Sequence, residues 1–218
     1  MTGKKKYVIW GSSGHSKVLH DLLRLCGGDV IALFDNNPNA LPSIEHIPLY
    51  IGLDGFHDWV SRQSDIENIY GIAAIGGSYG RDRIGIHELF RSSGIKVETV
   101  KHPSAYVCQS ATIGEGCQLL CQSLIATDSI LGESCIVNHQ ASVDHECHIG
   151  KGVHLAPSST LCGCINLGDN VMIGAGAVVL PRISIGENTV VGAGSTVTRD
   201  LPSNVVAVGS PARIIRHI

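Results

Sequence analysis

From residue 107 onward, aliphatic side chains recur at every sixth position: Val107, Ile113, Leu119, Ile125, Leu131, Val137, Val143, Ile149, Leu155, Leu161, Leu167, Ile173, Val179, Ile185, Val191 and Val197. Sixteen consecutive hits at a period of six fit neither an α-helix nor an ordinary hairpin sheet, whose periods are 3.6 and 2. Four residues after most of these hits the side chain is small, as at Ala111, Cys117, Ser123, Cys135, Ala141, Cys147 and Ala177. Glycine often follows the aliphatic, as in Ile113-Gly114 and Ile149-Gly150. This hexapeptide pattern predicts an uninterrupted parallel β-helix over residues 103–218.

Residues 1–102 follow a different rule. Tyr7–Trp10 reads as a short strand, followed by Gly11-Ser12-Ser13-Gly14-His15. Val18–Leu25 has helical spacing, with Leu19, Leu22 and Leu23 on one face, and Gly27-Gly28 ends it. Val30–Phe34 is a second strand ending at Asp35, Ile69–Ile75 a third ending at Gly76-Gly77, and Arg81–Arg91 a helix. Alternating strands and helices predict an α/β domain with a Rossmann-like parallel sheet. The fold expected is therefore a Rossmann-like N-terminal domain, 1–102, followed by a β-helix domain, 103–218.

The 218 residues carry a net charge of -3 and a pI near 6.4, with no basic footprint for nucleic acid. No apolar run reaches the length of a membrane span, so no membrane insertion is expected. The basic start, Lys4-Lys5-Lys6, is followed by only four apolar residues before Gly11, too short for a secretory core, and a cytoplasmic location is expected. Eight cysteines without a CxxC pair do not describe a disulfide framework. Cys117 and Cys135 are expected as reduced thiols buried in the repeat.

The hexad pattern resembles that of the hexapeptide-repeat acyltransferases, which implies a left-handed β-helix with three hexads per triangular coil. Residues 18 apart then stack in columns. One corner carries Glu115, Glu133, Lys151, Asp169 and Glu187 and is expected to be a solvated edge. A second carries Thr127, His145, Gly163, Pro181 and Arg199, and a third Cys121, His139, Pro157, Ala175 and Ala193. Two corners poor in charge suggest faces that meet neighbouring subunits, and a closed threefold ring satisfies such a heterologous contact. The resemblance implies a homotrimer as well, with active sites between subunits.

The densest ionisable cluster in the repeat is Asn138-His139-Gln140-Ala141-Ser142-Val143-Asp144-His145-Glu146-Cys147-His148. Transfer of an acetyl group from a thioester needs a base of near-neutral pKa, a partner that raises its basicity and a donor for the developing oxyanion. His145, flanked by Asp144 and Glu146, has the composition of such a base. Gly163, one coil along in the same column, is expected to leave space for substrate and to expose a backbone N–H. The same stretch also offers the donors of a zinc site. Four histidines (His139, His145, His148 and His154) fall within sixteen residues, yet no two are 18 apart, so none stack. Zinc needs three convergent ligands, which these histidines could supply only across a subunit boundary, and no metal is expected.

Gly11-Ser12-Ser13-Gly14-His15, Asp35-Asn36, Ile75-Gly76 and Val143-Asp144-His145-Glu146-Cys147 together resemble the bacterial sugar acyltransferases of the sialic-acid O-acetyltransferase type. That group includes N-acetyltransferases for UDP-linked 4-amino-4,6-dideoxy sugars in bacillosamine synthesis and for GDP-perosamine. The resemblance implies an acetyl-CoA-dependent enzyme that acetylates an amino sugar nucleotide for bacterial surface glycan or glycoprotein synthesis. By motif, His145 is the general base and Glu146 raises its basicity, with Asn138 and Asp144 in support. His154, Gly163, Ala175 and Ala193 would line the acetyl-CoA channel, although the family often has glycine where this chain has Ala175 and Ala193. Ser13, Gly14, His15, Asp35, Asn36 and Gly76 would hold the sugar nucleotide. The tail Gly209-Ser210-Pro211-Ala212-Arg213 also resembles the family's ending.

Gly11-x-x-Gly14 is not the GxGxxG of a dinucleotide site, but a strand-to-helix turn of this kind suits a phosphate or a uracil carbonyl, and Asp35 lies where a ribose hydroxyl partner is expected. Two other functions stay open at this point. O-acetylation of sialic acid or another sugar would use the same base, and a non-catalytic β-helix scaffold would need none.

Overall fold

The computed structural model describes residues 4–218. It divides into two compact units: residues up to Ile75 with Gly85–Glu98, and Gly76–Ile84 with Thr99–Ile218.

The first unit is a five-stranded parallel sheet: β1 (Lys6–Trp10), β2 (Asp29–Asp35), β3 (Leu49–Ile51), β4 (Ile69–Ala73) and β5 (Lys96–Val97), in the order β3-β2-β1-β4-β5. Helices α1 (Gly14–Leu25), α2 (Gly52–Ser61) and α3 (Gly80–Ser92) alternate with the strands. The strand order reverses between β1 and β4, and in open α/β sheets ligands bind at the carboxyl ends of the strands at this switch point. The Gly11–Gly14 turn leaves β1 there. Gly11 has φ +111°, and a Cβ on it would lie 2.8 Å from the Ala74 carbonyl oxygen, so only glycine fits. Sequence periodicity finds β1, β2, β4, α1 and α3 within a few residues of their ends, but passes over β3, α2 and β5. These are short, and their buried residues, Phe56, Trp59 and Val97, make no extended stripe.

The second unit is the left-handed β-helix. Each expected aliphatic is the second residue of a two-residue strand, from Tyr106–Val107 to Thr196–Val197. Fourteen of the sixteen, all but Val107 and Ile113, are buried. Strands 18 residues apart pair in parallel, as Ser142–Val143 with Thr160–Leu161, and build three faces. Face one runs through the strands ending at 107, 125, 143, 161, 179 and 197, and face two through those ending at 113, 131, 149, 167 and 185. Face three runs from Val100–Lys101 through His154–Leu155 to Val205–Val208, where the antiparallel strand Arg213–His217 closes it. Most residues after a corner adopt a left-handed backbone, with φ from 56° to 63° at Gln122, Gln140, Glu146, Cys164, Asn170 and Arg182. That turns the chain by a third of a coil without a long loop.

Cys117 and Cys135 are buried, as expected, and their thiols donate to the Gly132 and Gly150 carbonyls at 3.1 Å. The hydrogen bond with Cys117 and burial push the Cys135 thiol well above its ordinary range. The charged corner differs from its expectation. Its charged side chains are largely exposed, but the backbone beside them is covered by Gly76–Ile84. Arg83, fully buried, donates from Nε to the Ser134 carbonyl at 2.8 Å and from Nη2 to the Gly152 carbonyl at 2.7 Å. Gly80 N–H donates to Asn170 Oδ1 at 2.7 Å. Stacked main-chain carbonyls at a corner form a ready acceptor ladder, which a guanidinium reads with its fork of donors.

Candidate active site

His145 stands at the second corner, between faces one and two, on the hexad that begins with Ser142–Val143. Three neighbours fix it. Its backbone N–H donates to Asp144 Oδ1 at 2.8 Å, and its carbonyl accepts Cys164 N–H at 2.9 Å. Its ring Nδ1 lies 2.9 Å from Glu146 Oε2. The left-handed backbone of Glu146, φ 56°, turns its carboxylate back toward the preceding side chain. The His145 hydrogen bond holds the Glu146 carboxyl below its usual range. With Nδ1–H donating to the carboxylate, the Nε2 lone pair is free to take a proton, which is the tautomer a general base requires.

Gly163 is adjacent. A Cβ there would lie 2.4 Å from His145 Nε2, so the missing side chain makes room for the imidazole itself. Cys164 follows it, with Sγ 3.8 Å from Glu146 Oε2. Cys147 lies on the inner side of the same coil, and burial raises its thiol to about 11, which keeps it protonated.

Asn138 is not part of this cluster within one chain. It sits six residues earlier, at the third corner, and its Oδ1 accepts His139 N–H at 2.8 Å, as Asp144 does for His145. The two residues set the same turn at successive corners. Asn138 Nδ2 lies 3.3 Å from His154 Nε2, and Gly77 N–H donates to His154 Nδ1 at 2.8 Å. A Cβ on Gly76 would make ordinary contact, 3.5 Å, with the same ring. Asn138, His154, Gly76 and Gly77 thus form a second cluster on face three. Ala175 and Ala193 are exposed at the third corner, beside Gly176 and Gly194, where an added Cβ would meet nothing within 4 Å.

In the α/β unit, Asp35 ties two turns together: Oδ2 accepts Ser12 N–H at 2.7 Å and Oδ1 accepts Asn37 N–H at 2.9 Å. Each carboxylate oxygen keeps a lone pair for a further donor. Ser13 caps α1 through a reciprocal arrangement with Ser16. Gly14 faces open space, His15 is half-buried and Asn36 is exposed.

Sequence reasoning missed three residues here. Arg83 gave no signal, since a lone arginine on a helix reads as exposed. Gly77 reads in the sequence only as the end of a strand. Cys164 is legible by spacing, because it lies 18 residues after Glu146, but the pair sits one residue past the corner columns.

Fold and corner geometry together describe a hexapeptide-repeat acyltransferase with an α/β front domain. The PglD N-terminal domain family matches residues 6–85, and the bacterial transferase hexapeptide family (six repeats) matches residues 165–199. The chain belongs to the bacterial sugar acyltransferase family that its motifs resemble. PerB from Caulobacter crescentus, solved in complex with CoA and GDP-perosamine, is 36% identical over 99% of both chains, with a TM-score of 0.85. The acetyltransferase domain of PglB from Neisseria gonorrhoeae, solved with acetyl coenzyme A, is 27% identical over 98% of this chain and 100% of that one, with a TM-score of 0.85. WeeI from Acinetobacter baumannii is 26% identical over 96% and 99% of the two chains, with a TM-score of 0.84. A comparison with curated protein sequences finds no match.

Proposed function

We propose that this protein transfers the acetyl group of acetyl-CoA to the amine of a nucleotide-linked amino sugar, a UDP-4-amino-4,6-dideoxy sugar being the first candidate. The observation that carries the reading is the His145–Glu146 pair, with Nδ1 held by a carboxylate at 2.9 Å and Nε2 left as acceptor. The amine nitrogen attacks the thioester carbonyl, and His145 Nε2 takes the proton released as the C–N bond forms. Collapse of the tetrahedral intermediate breaks the C–S bond, and CoA leaves as the thiolate or, with that proton, as the thiol. Glu146 stabilises the imidazolium in between. Asp144 fixes the backbone of His145. PerB is named a perosamine N-acetyltransferase, and it has been solved with one histidine replaced by asparagine or by alanine, each form with CoA and GDP-perosamine bound. Those relatives support N-acetylation over O-acetylation, and support acetyl-CoA as co-substrate.

Ser13, Gly14, His15, Asp35, Asn36 and Gly76 are assigned to the sugar nucleotide, and His154, Gly163, Ala175 and Ala193 to acetyl-CoA. The assembly proposed is a homotrimer with active sites between subunits. Its support is the uneven covering of the three faces. On face three the outward Gln118, Ile136 and His154 are buried, whereas Tyr106 on face one and Ile130 on face two are 61% and 44% exposed. The two open faces meet at the corner that carries His145. A threefold ring can bring a neighbour's third corner, with Asn138 and His154, toward that His145. The setting proposed is the cytoplasm, in synthesis of a surface polysaccharide or glycoprotein glycan. No helix among the described residues is long and apolar enough to cross a membrane.

The test is acetyl transfer measured with UDP- and GDP-linked 4-amino sugars beside sialic acid. Turnover on a nucleotide-linked amine is expected; turnover confined to the hydroxyl acceptor would reject N-acetylation.

A further inference from the structure

One imidazole nitrogen of His145, a carboxylate oxygen of Glu146 and the thiol of Cys164 lie within 4.8 Å of one another. The proposed transfer does not use the Cys164 thiol, and only the backbone N–H of this residue holds the corner. Its column neighbours 18 residues away are Glu146 and Arg182, and its own left-handed turn (φ 61°) places Sγ on the Glu146 side of the corner. Tetrahedral zinc, with bonds of about 2.0–2.3 Å, sets ligand-to-ligand edges of roughly 3.3–3.6 Å. Two edges are known here: 2.9 Å from His145 Nδ1 to Glu146 Oε2, and 3.8 Å from that oxygen to Cys164 Sγ. They bracket the ideal. The side chains of His145 and Glu146 are half or more exposed, so small torsions can close the set.

We infer that His145, Glu146 and Cys164 form a three-donor site for a thiophilic divalent cation of the Zn²⁺ class, and that the bound cation shuts off acetyl transfer. Imidazole, carboxylate and thiolate suit Zn²⁺ or Co²⁺, while Mg²⁺ prefers an all-oxygen octahedron. Three protein ligands leave the fourth position to water. On binding, the Cys164 thiol gives its proton to solvent and the S–metal bond replaces S–H. The imidazole loses its role whichever nitrogen binds. Metal on Nε2 takes the basic lone pair, and metal on Nδ1 leaves the ring proton on Nε2. The ion is thus an inhibitor that competes with the base, not a resident cofactor.

The metal site stands on geometry alone; only its inhibitory effect rests on the general-base reading. The first measurement therefore needs no turnover. Co²⁺ is titrated into the full-length protein without acetyl-CoA, and a near-ultraviolet thiolate-to-cobalt band is expected that Cys164→Ser abolishes. Zn²⁺ affinity, read by competition with a chromophoric chelator, should fall at least about tenfold in both Cys164→Ser and Glu146→Gln, and Mg²⁺ should not compete. Serine already occupies the same left-handed turn position at Ser134 and Ser158, so the variant has a conformation to fold into. In the wild type, Zn²⁺ should inhibit transfer and a chelator restore it, with about tenfold more Zn²⁺ needed in Cys164→Ser. A Co²⁺ spectrum without a thiolate band, or Zn²⁺ affinity unchanged in Cys164→Ser, overturns the site. Undiminished turnover by the zinc-loaded enzyme overturns the inhibition. Absence of transfer in metal-free wild type counts instead against the proposed activity, and leaves the cobalt readout untouched.

Discussion

In the α/β unit, Trp10, Phe34, Phe56, Trp59 and Phe90 pack ring to ring at centroid distances of 5.1–6.2 Å. The core of the coil unit contains no aromatic ring; it is columns of Val, Ile, Leu, Ala and Cys, each stacked on an equivalent residue 18 positions away. The first arrangement buries much surface at one focus that the five strands share with α2 and α3. The second repeats a small contact many times, each coil touching only its neighbours. The difference extends to the chemistry. In the coil a side chain's neighbours follow from arithmetic on its number, so Gly163 lies beneath His145 and Cys164 beside Glu146. In the α/β unit the neighbours of Asp35 depend on strand order, and nothing local in the sequence announces that its carboxylate holds Ser12 and Asn37.

Truncation at the aromatic focus should break the comparison most severely. Phe34→Ala is expected to cost about 3–5 kcal/mol, and native-state hydrogen exchange should then speed up across the whole α/β unit. Leu161→Ala, in the coil, should raise exchange only in its own coil and the two beside it. Exchange spreading evenly through the coil unit would show a shared core there too.

Gly163→Ala separates packing from catalysis at one position. The new Cβ would displace a half-exposed imidazole rather than backbone, so the melting temperature should hardly move. Moving the ring by about 1 Å should lower kcat about 10²-fold. Full activity would mean that the ring does not work from its observed place.

The smallest expected effect is a gain. Ser123 Oγ and Ser159 Oγ are buried without a hydrogen-bond partner among the described residues, in a column whose other members include Ala141 and Ala177. Ser159→Ala should stabilise the protein by about 1 kcal/mol, read from denaturant midpoints, since it removes an unsatisfied hydroxyl without changing the packing. Destabilisation would point to a bond that the hydroxyl makes in solution.

The legibility of the sequence follows the same division. All sixteen aliphatics beginning strictly at Val107 fall on strands, and His145, Glu146 and Asp144 meet at the corner expected of them, because a repeat states its geometry many times over. The place of Gly163 is only half legible. Spacing says which residues stack, but not that a ring will lean across the gap. Arg83 and the excursion of Gly76–Ile84 onto the coil carry no periodic signal, since one long side chain and two backbone N–H groups make that contact. Asn138 shares a turn type with Asp144 but stands at the next corner of the same chain, a separation that the sequence states only through the six-residue step between them.

The central claim is that His145 is the base of an acetyl transfer, and one pair of measurements on His145→Ala tests it. Acetyl-CoA binding, followed by calorimetry, should stay close to wild type, because His145 is not among the residues assigned to hold acetyl-CoA and its removal leaves Gly163 and the third corner in place. Turnover of the nucleotide-linked amine should fall by about 10²–10⁴-fold. Near-full turnover in that variant would contradict the assignment, and would place the proton acceptor elsewhere.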